Sequence, residues 1–198
     1  MRIALVAMVL AGAVLTLAAS APGPQPPAAT QITLYLPFNP GGLSIGLAVT
    51  KRLSGSCFAG SAASSGRSDA WRCSAGNAIL DPCFQGFQQG KTVLACPDTP
   101  WSANVVLLSL TKDLPQQDAN KDTLPKGLPW ALELANGMKC ELLTGATWGA
   151  AGMRANYGCG ENAYVIGDPD RSLPTWRVFF QGPRGFAVTQ IGVRVAWY

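Results

Sequence analysis

Short segments in which hydrophobic and polar residues alternate recur along this chain, separated by turn-forming residues. In segment 31–36, Ile32, Leu34 and Leu36 fall on one side of the predicted strand, and we expect that side to face the core. The same period of two runs through 187–198, at the other end of the chain. A two-residue period is typical of half-buried strands rather than helices. The pattern therefore predicts a mainly β protein.

The strongest local signal is a hairpin in the second half of the chain. Segments 130–134 and 139–143 are both apolar, and Asn136-Gly137, the dipeptide that favours a tight hairpin turn, lies between them. Further strands are predicted over 43–49, 105–110, 153–158, 163–166 and 175–180. Together these segments predict a two-lobed antiparallel sheet or barrel-like domain with disulfide-stapled loops and few short helices.

The segment from Cys57 to Cys96 holds four of the six cysteines, among aromatic, charged and turn-forming residues. In an exported protein an even number of cysteines indicates a disulfide framework, and six cysteines allow fifteen pairings, among which the sequence does not choose. Pairing in sequence order would give Cys57–Cys73, Cys83–Cys96 and Cys140–Cys159, each contributing about 3 kcal/mol in the chain-entropy model. The chain has no C-x-x-C spacing, so we expect stapled loops and no metal site.

The N-terminal residues have the features of a secretory signal peptide. A basic start is followed by an apolar run over 3–19 and by small residues. We predict a signal peptide at 1–20, cleaved after Ser20, and a Pro/Ala-rich spacer at 21–30. The alternative is an uncleaved membrane anchor, although the run is slightly short for one. The expected location is secreted or in the cell envelope.

Residues 31–198 are predicted to form a single exported domain. The most polar segment, 114–128, contains several Leu-Pro steps and is typical of an exposed connection. It divides the domain into a lobe at 31–113 and a lobe at 129–198. No later apolar stretch is long enough for a membrane helix, so we expect no membrane contact after signal cleavage.

Composition excludes several classes of function. Only 13% of the 198 residues are charged, and the net charge of +4 is carried by scattered basic residues, which argues against a nucleic-acid partner. The chain contains no histidine. Catalysis by Ser-His-Asp or Cys-His groups and metal binding through histidine are therefore excluded. We expect a monomer that needs no cofactor.

Four charged residues around the cysteine-rich segment form the first candidate site: Arg67, Asp69, Arg72 and Asp81. Buried charges are costly unless they are paired, so a network of ion pairs that fixes the loops is the ordinary interpretation. The alternative is a binding site for a polar ligand.

Trp148 is the second candidate, because it lies in a segment of glycine and alanine at 144–152. Such a residue either folds back onto the core or is exposed as a contact. Tryptophan is enriched in binding hot spots, and loops often carry function. Trp148 is thus the best single candidate for a ligand contact.

Two catalytic alternatives do not need histidine. A glycosidase needs two carboxyl groups about 5–10 Å apart, and the candidate acids are Asp69, Asp81, Glu133, Glu141, Glu161, Asp168 and Asp170. A serine nucleophile is the other alternative, among Ser61, Ser64, Ser65 and Ser68, but no S-x-x-K or G-x-S-x-G motif supports it. We assign no catalytic residue.

Six short segments also stand out together: GSC at 55–57, DAWRC at 69–73, NAILDPCF at 77–84, PWAL at 129–132, LLTGAT at 142–147 and NYGC at 156–159. In combination they resemble a family of exported, six-cysteine bacterial proteins with no assigned function. The resemblance covers most of the chain beyond the predicted signal, including all six cysteines. It implies a secreted, disulfide-bonded protein and assigns no site.

The sequence therefore favours a secreted or envelope-associated, non-catalytic protein that binds a protein or an envelope glycan. A histidine-free hydrolase with paired carboxylates and a purely structural surface protein are the alternatives.

Overall fold

The computed structural model describes residues 28–88, 91–117, 127–150, 152–185 and 187–198. The predicted signal peptide and most of the predicted spacer lie outside these residues, as does the middle of the loop predicted at 114–128.

Fifteen strands and no helix are present in these described ranges. The strands are β1 Gln31–Thr33, β2 Phe38–Asn39, β3 Gly42–Leu43, β4 Ala48–Gly60, β5 Ala70–Ala75, β6 Ala78–Gln88, β7 Lys91–Pro97, β8 Asn104–Leu110, β9 Ala131–Leu134, β10 Lys139–Leu142, β11 Gly149–Ala150, β12 Met153–Gly158, β13 Tyr164–Asp170, β14 Arg177–Gln181 and β15 Val188–Trp197. The mainly β prediction is confirmed. The expected short helices are absent from this part of the chain, because its apolar residues follow the two-residue period of strands.

The first barrel consists of β4 to β8, each paired with the next in antiparallel fashion. It closes where β4 pairs with β8, and this pair is parallel, with Val49 opposite Val105. A meander of five strands must close in this way, because its first and last strands run in the same direction. The other four strand pairs of this barrel are antiparallel, as predicted, and only this closing pair is parallel.

The second barrel consists of β9, β10, β12, β13, β14 and β15. It closes through an antiparallel pair of β15 with β9, as an even number of strands requires. The predicted hairpin is confirmed in β9 and β10, where Gly137 adopts a φ of 85° in the turn. Outside the ring, β1 runs parallel to the end of β15, and β11 pairs with β12.

The cysteine-rich segment forms strands rather than stapled loops. Cys57 and Cys73 face each other across β4 and β5 and are joined by a disulfide. The other two disulfides, Cys83–Cys96 and Cys140–Cys159, likewise connect neighbouring strands, so the cysteines are paired in sequence order. All six are buried, and each barrel contains at least one disulfide in its core. The turn-forming residues of this segment lie in the loop over 61–69, in the turn at Gly76 and Asn77, and at the register shifts of the β4–β5 and β5–β6 ladders.

The predicted orientation of segment 31–36 is wrong. Ile32, Leu34 and Leu36 are 50%, 48% and 60% exposed, whereas Tyr35 is 6% exposed. Tyr35 packs between Phe84 of the first barrel and Trp130 at the start of the second. Because neighbouring side chains of a strand point to opposite faces, burial of Tyr35 turns the three aliphatic side chains to solvent.

The strand predicted over 43–49 is also interrupted. Residues 44–47 form a turn between β3 and β4, closed by a hydrogen bond from the Leu47 amide to the Ser44 carbonyl at 3.2 Å. Gly46 adopts a φ of 92° in this turn, and Ile45 is fully exposed. The pair β2–β3 packs on the first barrel, because the Phe38 ring covers the backbone of Gly86.

Candidate functional site

Arg67 lies between β4 and β5 and is buried where the two barrels meet. Its Nε donates to Oδ1 of Asp69 at 2.8 Å, and its Nη1 donates to the main-chain oxygens of Tyr35 and Tyr198. The guanidinium carbon lies 4.5 Å from the centre of the Phe84 ring. A buried cation is tolerated when its donors are satisfied in this way.

This arrangement makes Arg67 a structural clamp between the barrels. Phe84 belongs to the first barrel, while Tyr35 and Tyr198 follow the paired strands β1 and β15. The surrounding cluster is apolar and consists of Tyr35, Ala63, Ala70, Phe84 and Trp130. Burial raises the pKa of Tyr35 to about 12. The geometry favours the ion-pair interpretation of Arg67 and Asp69 over a ligand site.

Asp81 is the centre of a second, separate ion-pair cluster. Its carboxylate accepts hydrogen bonds from Ser61 Oγ at 2.5 Å and from the amides of Ala62 and Ala63 at 3.2 and 3.5 Å. Arg72 Nε lies 3.8 Å from Oδ2 of the same carboxylate. Asp81 therefore fastens the start of the loop that follows β4. The four charged candidates are thus two structural pairs, Arg67 with Asp69 and Arg72 with Asp81.

The second cluster includes two of the candidate serines, Ser61 through its hydroxyl and Ser64 through its amide. The Ser61 hydroxyl donates to Asp81 and accepts a bond from the Ser64 amide at 2.8 Å. Both serines are buried. A hydroxyl that is engaged on both sides in this way organises its loop, and the carboxylate that accepts from Ser61 is also bonded by the Ala62 and Ala63 amides, which favours a structural role.

Trp148 lies in the loop between β10 and β11, and 41% of its surface is exposed. Tyr164, the first residue of β13, packs against it edge-to-face, with ring centres 5.1 Å apart. Beside the indole is a shallow hollow of about 520 Å³. It is lined by Thr147, Trp148, Gly149, Gly152, Met153 and Arg154.

Arg154 holds this loop in place. Its Nη2 donates to the carbonyls of Leu143 and Gly145 at 2.6 and 2.8 Å, and the Ala155 amide donates to the Trp148 carbonyl at 2.9 Å. A Cβ at Gly149 would lie 2.6 Å from the Met153 carbonyl oxygen, so this close approach requires glycine. The indole is therefore presented to solvent from a fixed backbone.

A larger hollow lies where β7 begins and β8 ends in the first barrel, and its volume is about 710 Å³. It is lined by Lys91, Thr92, Val93, Ser109, Leu110, Thr111, Lys112, Asp113 and Leu114. No motif or spacing in the sequence singles out these residues. They belong to two segments that meet only through the pairing of β7 with β8, which places Val93 opposite Ser109.

Most of the carboxylates proposed for a glycosidase are occupied in local contacts. Glu133 accepts bonds from Arg194 and from Trp197 Nε1, Asp168 accepts from Asn156, and Asp170 accepts from the Ser172 amide. No cluster of three or more acidic or cysteine side chains that could hold a metal ion occurs in the described part of the chain. Nor does any described helix have the length and apolarity to cross a membrane.

Glu141 differs from these acids. Burial and the neighbouring Asp98 carboxylate raise its pKa above the ordinary value. Asp98 follows β7 and Glu141 lies in β10, so the pair spans the two barrels. Next to them, Lys139 Nζ lies 5.1 Å from the centre of the Trp101 ring and makes a second contact between the same elements. Neither hollow described above is lined by Asp98 or Glu141.

Comparison with known proteins adds no relative. No family model, no curated protein and no solved structure matches this chain significantly. The functional argument therefore rests on the geometry of the site.

Proposed function

We propose that this protein is an exported, non-catalytic binding protein that contacts a glycan through Trp148 and its hollow. The observation that carries the proposal is the half-exposed indole, which is braced by Tyr164 and held on a loop fixed by Arg154. An exposed aromatic ring is otherwise costly in water, and a preformed one binds without losing much rotamer entropy.

The lining of the hollow favours a glycan over a charged ligand. Its lining residues are one tryptophan, one methionine, one threonine, two glycines and a single cation, Arg154. The Arg154 guanidinium keeps its charge, but its Nη2 donates to carbonyls of its own loop, so these donors are already occupied and are not directed at a ligand. Such a surface can pack on the C–H face of a sugar ring while main-chain groups bind its hydroxyls.

Export is supported by the cysteines and by the N-terminal sequence. All six cysteines are joined in disulfides, which persist in oxidising compartments and are rare in the cytosol. The basic start and the apolar run over 3–19 are typical of a secretory signal. An envelope glycan would be within reach of a protein in that location.

A glycan array tests the proposal, supplemented by sedimentation with insoluble peptidoglycan and chitin. We expect the oxidised protein to bind at least one glycan class, and Trp148→Ala to lose at least about tenfold in affinity. Phe179→Ala is a matched control, because Phe179 is 40% exposed on β14 of the same barrel. Equal binding by wild type and Trp148→Ala, or binding to none of these glycans, would overturn the proposal.

A histidine-free hydrolase is the second candidate, and one observation favours it. A glycosidase needs an acid whose pKa is raised, and Glu141 next to Asp98 meets that requirement. Release of reducing sugar from the same glycans, abolished in both Glu141→Gln and Asp98→Asn, would replace the binding proposal with this one.

A further inference from the structure

One edge of β1 has no strand beside it in the described part of the sheet. On the other edge β1 pairs with β15: the Thr33 carbonyl accepts from the Tyr198 amide at 2.9 Å, and the Tyr35 amide donates to the Tyr198 carbonyl at 2.7 Å. Because backbone groups of successive strand residues point to alternate edges, those of Ile32 and Leu34 point away from β15. An open edge of this kind is a template for another strand.

The side chains along this edge are apolar and exposed. Ile32, Leu34 and Leu36 share one face, and each is about half exposed. Leu173, which is 52% exposed, lies next to the same segment, because the Pro174 carbonyl accepts a bond from the Thr30 amide at 2.9 Å. Natural proteins usually protect such edges with a charge or a proline. Here no charged residue occurs anywhere between Arg2 and Lys51.

The apolar and uncharged character of this edge indicates which kind of strand can pair with it. Residues 21–27 of the same chain are largely proline, which lacks the amide hydrogen that a ladder needs, and residues 118–126 contain four charged side chains that do not complement an apolar face. Another β1 is uncharged and apolar in the same pattern. We propose that the open edge of β1 pairs with β1 of a second copy of this chain.

The pairing is antiparallel about a twofold axis at Thr33. Ile32 of one copy then lies opposite the partner's Leu34, and each pair exchanges two backbone hydrogen bonds, four in total. The stretch of outward-pointing backbone groups that can pair in this way is short. It ends at Thr30, whose amide donates to the Pro174 carbonyl. At the other end, the Leu36 carbonyl is occupied by the Ser44 hydroxyl at 2.8 Å. So short a stretch of paired backbone buries less area than a stable dimer needs, so we expect a weak dimer that forms only at high protein concentration. The expected monomer therefore prevails at low concentration.

Sedimentation velocity of the oxidised protein from about 10 to 500 µM tests this proposal. We expect the weight-average mass of the wild type to rise toward two chains over this range. Leu34→Lys places one cation in each of the two residue pairs, on an otherwise apolar face, and should remain a monomer throughout. Leu34→Pro removes an outward-pointing amide without touching the β15 ladder and should also remain monomeric. Ile79→Lys is the matched control, because Ile79 is 53% exposed on the first barrel, and it should dimerise like the wild type.

A wild type that stays monomeric at the highest concentration overturns the proposal, as does a folded Leu34→Lys that dimerises normally. Hydrogen exchange distinguishes pairing of this edge with a second copy from its coverage by another segment of the same chain. In the dimer, protection of the Ile32 and Leu34 amides rises with protein concentration. Protection that is the same at all concentrations would assign the edge to another segment of the same chain and reject the second copy.

Discussion

Asp81 shows how one side chain can organise a loop of this protein. Three donors from the loop after β4 converge on its carboxylate, next to Arg72. The sequence indicated that Asp81 would be paired, because a charge in an apolar segment needs a partner. It did not indicate Ser61 or the Ala62 and Ala63 amides as those partners, because they come into range only when β4 and β6 lie in one barrel.

Replacing Asp81 should therefore destabilise the fold more than replacing an exposed acid. We expect Asp81→Ala to cost about 2–3 kcal/mol, since it leaves buried donors without an acceptor, and to lower Tm by roughly 5–10 °C. Asp113→Ala, at an exposed position, should change Tm by less than about 2 °C. Thermal unfolding followed by circular dichroism measures both. Equal Tm values for the two variants would contradict the role assigned to Asp81.

Glu141 should make stability depend on pH. Burial and the Asp98 carboxylate raise the pKa of Glu141 in the folded state. The fold therefore keeps its full stability below the ordinary carboxyl pKa, and it loses stability as the pH rises through the raised pKa. Glu141→Gln removes this loss. We expect its Tm to exceed that of the wild type at neutral pH and to equal it at about pH 4, where the wild-type carboxyl group is protonated in the folded state. A difference that is the same at both pH values would point to packing instead of charge.

At the level of elements, features that depend on residues adjacent in sequence were predictable, and features that depend on distant residues were not. The turn at Gly137 requires a left-handed φ, and Asn136-Gly137 supplies it, so the β9–β10 hairpin was predictable from the sequence. The orientation of β1 was not, because it depends on where Tyr35 finds aromatic partners that lie about fifty and ninety-five residues away in sequence. The two hollows were unpredictable for the same reason: their walls are assembled from paired strands and loop contacts.

The disulfides connect elements that are already paired, so each should stabilise its barrel without defining it. Cys83 and Cys96 enclose a segment with a sequence separation of 13 between β6 and β7. We expect the double variant Cys83→Ala with Cys96→Ala to lose about 3 kcal/mol and roughly 6–12 °C in Tm. Its far-UV circular dichroism should remain that of a β protein. An unchanged Tm would contradict a stabilising role, and mass spectrometry without reductant verifies the two remaining pairs.

At the level of the whole molecule, Arg67 joins two barrels that each have a core of their own. If this clamp couples them, the wild type unfolds in one calorimetric transition. Arg67→Met removes the donors to Tyr35 and Tyr198 and should separate that transition into two, with a loss of about 2–3 kcal/mol. Arg177→Met, at an exposed position of β14, is the control and should keep a single transition. A single transition in both variants would mean that the apolar cluster alone couples the barrels.

The central claim is that the working surface of this protein is the hollow beside Trp148. Nuclear magnetic resonance mapping with the glycan that binds best on the array tests this claim most directly. The chemical shift of the Trp148 indole N–H is measured, and this group lies in the proposed site. We predict saturable shifts of that indole signal, together with the amides of Met153, Arg154 and Tyr164, and no shifts in Trp148→Ala. Shifts centred instead on residues 91–93 and 109–114, or on Asp98 and Glu141, would contradict the claim and move the site to the other hollow or to the carboxylate pair.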